Sequence, residues 1–109
     1  MAEDLAQDHR FDEDERPAGG FTRGVGMVID WQKGPVVHHG HRHIRNGASV
    51  EDVIEAAIGR LEFYQRSRLH CLENAVALGH LRAAKAVLEE RRRARSDKGV
   101  EVPYAESAL

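Results

Sequence analysis

From Ser49 to Arg95 apolar side chains return at three- and four-residue spacings with one interruption, and that pattern commits over two fifths of the 109 residues to a pair of helices. Ser49 marks the start. Its hydroxyl can cap the first backbone amides, and Asp52, three residues on, stands where a capping box places an acid and where the positive helix end favours one. The first helix is expected over about 49 to 66, with Val50, Val53, Ile54, Ala57, Ile58, Leu61 and Tyr64 in one stripe and Phe63 off it. A short break around residues 66 to 69 turns the chain, and the second helix is expected over about 70 to 95. At 1.5 Å per residue it spans roughly 35 to 40 Å.

The second helix carries more apolar circumference than one partner covers. One stripe runs through Leu72, Val76, Gly79, Ala83 and Val87, while Ala77, Leu81, Ala84 and Leu88 extend around another side. Small residues at 75, 79, 83 and 84 permit close approach of backbones, and a lone two-helix hairpin with a short sheet has little core. Homo-oligomerisation through this helix is the expected solution. The competing expectation is that the strands fold over the second face, although two short strands cover only part of so long a helix.

Ahead of the helices the chain reads differently. Of its 18 acids and 16 Lys and Arg, seven acids and two arginines fall in the first 20 residues, which leaves 11 acids against 14 Lys and Arg in the remainder, a formal +3. That acidic segment ends in Pro17-Ala18-Gly19-Gly20, which reads as a hinge, so residues 1 to 20 are expected to be a disordered, solvated tail. Residues 21 to 109 are expected to form a single domain. FTRGVGMVIDWQ, residues 21 to 32, is rich in β-branched and aromatic residues and reads as a strand, which Gly34-Pro35 ends before a return strand at Val36 and Val37. The strands are placed over about 21 to 45, with the polar, glycine-punctuated HHGHRHIRNG on an arm or loop. The expected fold class is α+β: a small N-terminal antiparallel sheet followed by a long two-helix hairpin, oligomeric. A single cysteine excludes an intramolecular disulfide, no export signal opens the sequence, and no apolar run reaches the roughly 20 residues that cross a bilayer, so the expected compartment is the cytoplasm without membrane insertion.

Chemistry concentrates in a few places. In EERRRAR, residues 89 to 95, Arg91 and Arg95 are four apart and share a face beside Ala84 and Leu88. Guanidinium pairs of this kind grip phosphate oxygens and stack on flat bases, whereas the plainer reading has them complement the helix dipole and pair with Glu89 or Glu90. Asn74 lies among alanines early in the second helix, and Phe63 with Tyr64 closes the first. A tyrosine ring suits base stacking as well as core packing, and a buried asparagine needs partners for its amide. His38, His39, His41 and His43 suggest a metal, but without a second ligand cluster the solvated arm is the favoured reading and no metal is assigned. Cys71 follows His70, yet consecutive helical residues diverge by about 100°, so they make no nucleophile and base. GFTRGVG lacks the lysine of a phosphate loop. No catalytic constellation emerges, and neither an enzyme nor a cofactor is expected.

Taken together, GMVIDWQKGP from Gly26, NGASVEDVIEAAIGRLEFYQ from Asn46, HCLENAVAL from His70 and LEERRRARSDKGVE from Leu88 resemble the phage anti-Thoeris sponge family, the first described Thoeris anti-defence type. That family is similar in its helical hairpin to phage anti-CBASS cyclic-dinucleotide sponges. The resemblance covers about residues 21 to 102. It implies a non-catalytic phage protein in the host cytoplasm that binds and sequesters cyclic ADP-ribose isomers, as a homodimer or a hexamer, with additional sites for cyclic dinucleotides or trinucleotides. It also implies a pocket of Tyr64, with its neighbour Phe63, Asn74, Arg91 and Arg95. The alternative is a nucleic-acid- or protein-binding helical adaptor using Arg91, Arg92, Arg93 and Arg95, in which binding to duplex DNA falls steeply with salt; the sponge reading disfavours nucleic acid.

Overall fold

The computed structural model describes residues 4–34, 37–39 and 42–97, and for 37–39, 42–44 and 95–97 it describes the backbone alone. Among the described residues five strands precede two helices: β1 (Ala6–Phe11), β2 (Pro17–Gly24), β3 (Met27–Asp30), β4 (Val37–His39), β5 (Arg42–Ile44), α1 (Val50–Gln65) and α2 (Leu72–Asp97). The first three make an antiparallel sheet in the order β1-β2-β3, and β4 with β5 forms a separate antiparallel pair. The fold is α+β, with its sheet at the N-terminal end and its helices after it.

Two expectations about the first 30 residues are corrected. Residues 6 to 11, expected in a solvated tail, form β1 and pair with β2 from Ala6 opposite Arg23 to Phe11 opposite Pro17. The acids that dominate the composition are gathered in the connecting loop instead. There the Asp12 carboxylate accepts from the backbone N–H of Asp14 at 2.8 Å and of Arg16 at 3.0 Å, closing a turn. The glycines expected to act as a hinge serve strand pairing: a Cβ on Gly20, at φ +114°, would stand 2.0 Å from the Asp8 carbonyl oxygen, so only glycine lets β1 lie this close. Residues 21 to 32, expected as one strand, fold back on themselves through Val25 and Gly26, with Phe21 opposite Asp30 and Gly24 opposite Met27.

A clasp joins this sheet to α1. Gln32 is buried, and its side-chain oxygen accepts from the N–H groups of Asn46 at 3.0 Å and Gly47 at 3.2 Å. Asn46 answers with its own amide, accepting from Lys33 N–H and donating to Lys33 C=O, both at 2.8 Å. Main-chain bonds from Ala48 to Asp30 and from Gln32 to Ala48 complete it. The approach is so close that a Cβ on Gly47 would lie 2.5 Å from the Trp31 carbonyl carbon. Inside the sheet Trp31 donates through its indole N–H to Thr22, which donates on to Gln7, so β1 is held by hydrogen bonds where it buries little apolar surface.

Ser49, 1% exposed, caps α1: its hydroxyl accepts from Asp52 N–H at 3.1 Å, and the Asp52 carboxylate accepts from Ser49 N–H at 2.8 Å. Burial presses the Asp52 carboxyl upward, but the Ser49 N–H and the Arg45 guanidinium, 2.5 Å away, outweigh it and hold the group below its usual 3.8. A carboxylate with a depressed value in the folded state adds stability above its unfolded value and loses it as pH falls through the folded one. Asp52→Asn is therefore expected to cost about 1 kcal/mol at pH 7. The difference from the native chain should begin to shrink below pH 3.8 and vanish once the pH has passed the lowered folded value, as read from urea midpoints across that range.

The helices run antiparallel, lashed by Glu51 to Arg92, Glu55 to Lys85 at 2.7 Å and Glu62 to Arg82 at 2.7 Å. The Glu55 carboxylate holds the Lys85 ammonium above its usual range. Ile58 and Leu78 are the buried apolar residues between them. Of the two apolar sides foreseen on the second helix, Ala77, Leu81 and Leu88 are half-buried and Ala84 is exposed, whereas Leu72 (76% exposed), Val76 (51%) and Val87 (65%) stay open. No described strand covers that stripe, on which Gly79 and Ala83 are also exposed.

Candidate ligand site at the two ends of the hairpin

Antiparallel packing sorts the candidate residues into two groups. Phe63 and Tyr64 end α1, and Asn74 lies one turn into α2, so all three gather at the interhelical turn. Arg91 lies 17 positions further along α2, roughly 25 Å away at 1.5 Å per residue, beside the start of α1. The side chain of Arg95 lies outside the described residues, as do those of His38, His39, His41 and His43. Within one chain the aromatic and amide groups therefore do not meet the arginines.

At the turn end the geometry is dense. Gln65 folds its side-chain amide over the turn, donating to Cys71 C=O at 3.0 Å and accepting from Cys71 N–H at 3.0 Å and from the Asn74 amide at 3.1 Å. Asn74 also donates to Leu69 C=O at 3.0 Å, so its amide nitrogen builds the turn. Ser67 closes on the Tyr64 carbonyl through its hydroxyl at 2.6 Å and its N–H at 2.9 Å. The Phe63 and Tyr64 rings are 6.1 Å apart and tilted by 52°, with Phe63 48% exposed. The Arg60 guanidinium lies 4.9 Å from the Phe63 centroid and 5.0 Å from that of Tyr64. Charge reading along the sequence, drawn to the arginine run, overlooks Arg60; its signal was the three- and four-residue spacing to the two aromatics.

At the other end Arg92 pairs with Glu51, which is buried at the first turn of α1. Arg91 is half-buried, and its Nε is enclosed without an acceptor among the described residues. A guanidinium nitrogen in that condition is a donor that a bound anion would satisfy. The expected pairing of these arginines with Glu89 or Glu90 is not what the described contacts show: Glu89 faces Lys85 at 3.7 Å. In the turn-side half of α2, Leu72, Glu73, Val76, Ala77 and His80 line a shallow concavity of about 380 Å³.

No protein-family model matches the chain. A curated protein does: the chain is 40% identical over 74 residues, 68% of its length, to Thoeris anti-defense 1 of Bacillus phage SBSphiJ7. The chain belongs to the Thoeris anti-defense 1 family. It spans about half the length of that relative, with 49% of the phage protein covered. Among the described residues, no helix of this family member is long and apolar enough to cross a membrane, and no group of three His, Cys, Asp or Glu side chains gathers as metal ligands.

Proposed function

We propose that the chain is a phage anti-Thoeris protein that binds and sequesters a cyclic ADP-ribose isomer without degrading it, in a pocket shared by two copies. The observation that carries this reading is the separation of the site residues along α2 with an uncovered apolar stripe between them. Two α2 helices packed antiparallel through Leu72, Val76, Ala83 and Val87 would bury that stripe and bring the turn end of one copy to the arginine end of the other. The register is consistent. The midpoint of Asn74 and Arg91 falls at residues 82 to 83, and Ala83 is a small, exposed side chain on the stripe, where a twofold axis would let backbones approach. That pairing sets Arg91 level with Asn74, and Arg95 level with the turn near His70, along the helix axis.

The parts suit the ligand class. Tyr64 and Phe63 offer ring faces for adenine, Asn74 offers a side-chain carbonyl beyond the amide nitrogen it spends on the turn, and Arg91 with Arg95 offers donors for a pyrophosphate. Relationship to Thoeris anti-defense 1 supports the anti-Thoeris role, and resemblance to the sponge family supports the cyclic signal, with cyclic dinucleotides or trinucleotides at further sites of a hexamer. Action by affinity alone demands tight binding: silencing a micromolar signal takes a nanomolar Kd, about 12 kcal/mol. Arg92, committed to Glu51, has less to give a nucleic-acid backbone, which weighs against the adaptor reading.

Native mass spectrometry of the full chain with and without a cyclic ADP-ribose isomer tests this. An even-numbered assembly that retains one intact ligand per chain is expected. A monomer, or release of a cleaved product, would contradict the proposal.

A further inference from the structure

Sorting the described arginines by partner separates two populations. Arg10, Arg23, Arg45, Arg82 and Arg92 each hold a carboxylate, and Arg16 is engaged as well. Arg60, Arg66 and Arg68 at the turn end, and Arg91 and Arg93 at the other, have no ion pair among the described residues. The unpaired described arginines thus collect at the two ends of the hairpin, and Arg60 differs from the rest in where it rests. Its guanidinium lies over both rings of the aromatic pair, while the two acids nearest it on α1 are engaged elsewhere, Glu55 by Lys85 and Glu62 by Arg82.

We infer that Arg60 is a further ligand-binding residue, a cover over Phe63 and Tyr64 that the base of a nucleotide displaces and whose charge then meets the nucleotide's phosphate. This rests on the sequestration reading above and deepens it. A ring face accepts one flat guest at a time, and an exposed guanidinium is held there weakly, so a stacking base takes its place. Once displaced, the guanidinium stays within reach of the same rings because three and four helical residues separate it from them. It has no described carboxylate to return to, so a phosphate held against the aromatic pair is the strongest acceptor it can find. The cost of uncovering the rings and the gain from the phosphate together make the site selective for phosphorylated over neutral nucleosides.

Isothermal titration of the full chain with a cyclic ADP-ribose isomer and, separately, with adenosine tests the inference in the native protein, Arg60→Ala and Arg60→Lys. The alanine variant is expected to lose about tenfold or more in affinity for the cyclic probe, as for a lost charge-assisted hydrogen bond. It should bind adenosine as well as the native chain or better, because the rings stand open, and the lysine variant should recover part of the phosphate preference. Unchanged affinity of Arg60→Ala for the cyclic probe overturns the inference and leaves sequestration standing. An equal fractional loss for both probes overturns it too, since it shows a packing role. A native chain that ignores the cyclic probe overturns both readings at once.

Discussion

Replacing Gln32 by alanine is expected to lower the unfolding free energy by about 2 to 4 kcal/mol, because two half-buried backbone N–H groups lose their acceptor together. Those groups belong to Asn46 and Gly47, and they are what turns the chain from the sheet into the cap of α1. Against a total stability of roughly 5 to 15 kcal/mol for an ordinary domain, that loss is large. Urea unfolding at a fixed protein concentration reads it, with concentration held constant because an oligomer's stability depends on it. Val28→Ala, at a site 69% exposed, serves as the control and should stay within about 0.5 kcal/mol of the native chain. Equal midpoints for the two variants would show that the clasp contributes nothing.

The helical half is the more legible part of this chain, and the reason is local. A Ser with an Asp three residues on, followed by a 3.6-residue stripe, specifies a capped helix whatever surrounds it, and Ser49 and Asp52 cap each other as that spacing requires. The N-terminal half obeys partners instead of period. β1 is ordered although it buries little, because its backbone is satisfied by β2 and the acids near it are spent on a turn at Asp12; composition, which counts apolar area, does not register that. The fold-back at Val25 and Gly26 hides inside a run whose residue types all favour a strand.

The candidate site shows the same division. Helical spacing tells which residues share a face, and it places Arg91 with Arg95. It does not tell which side chains meet along the seam between two helices. The hairpin expectation and 17 residues of helical rise already put the aromatic group and the arginine group at opposite ends of one chain, and the antiparallel packing, seen in Glu51 against Arg92 and Glu62 against Arg82, bears that out. The cover of Arg60 over the rings was signalled only by its three- and four-residue spacing to them, a sign easily passed over because an arginine in mid-helix looks like a solvated charge.

Arg91→Ala is expected to weaken retention of the cyclic ligand by roughly tenfold to a hundredfold, since a donor to a phosphate is lost. The fold should survive, because the Nε of Arg91 has no acceptor among the described residues. Tyr64→Ala should cost a comparable factor through lost stacking. Neither variant alone says whether its residue and the other's serve one pocket across two chains. Co-expression does. If each pocket takes its ring from one copy and its arginine from the other, a mixed dimer of Tyr64→Ala with Arg91→Ala contains one pocket lacking both groups and one that is intact. Half of the dimers are mixed at equal expression, so the co-expressed sample should bind ligand at native affinity with about a quarter of the native stoichiometry, although neither parent does. Titration showing no such high-affinity fraction would contradict a pocket shared between antiparallel copies.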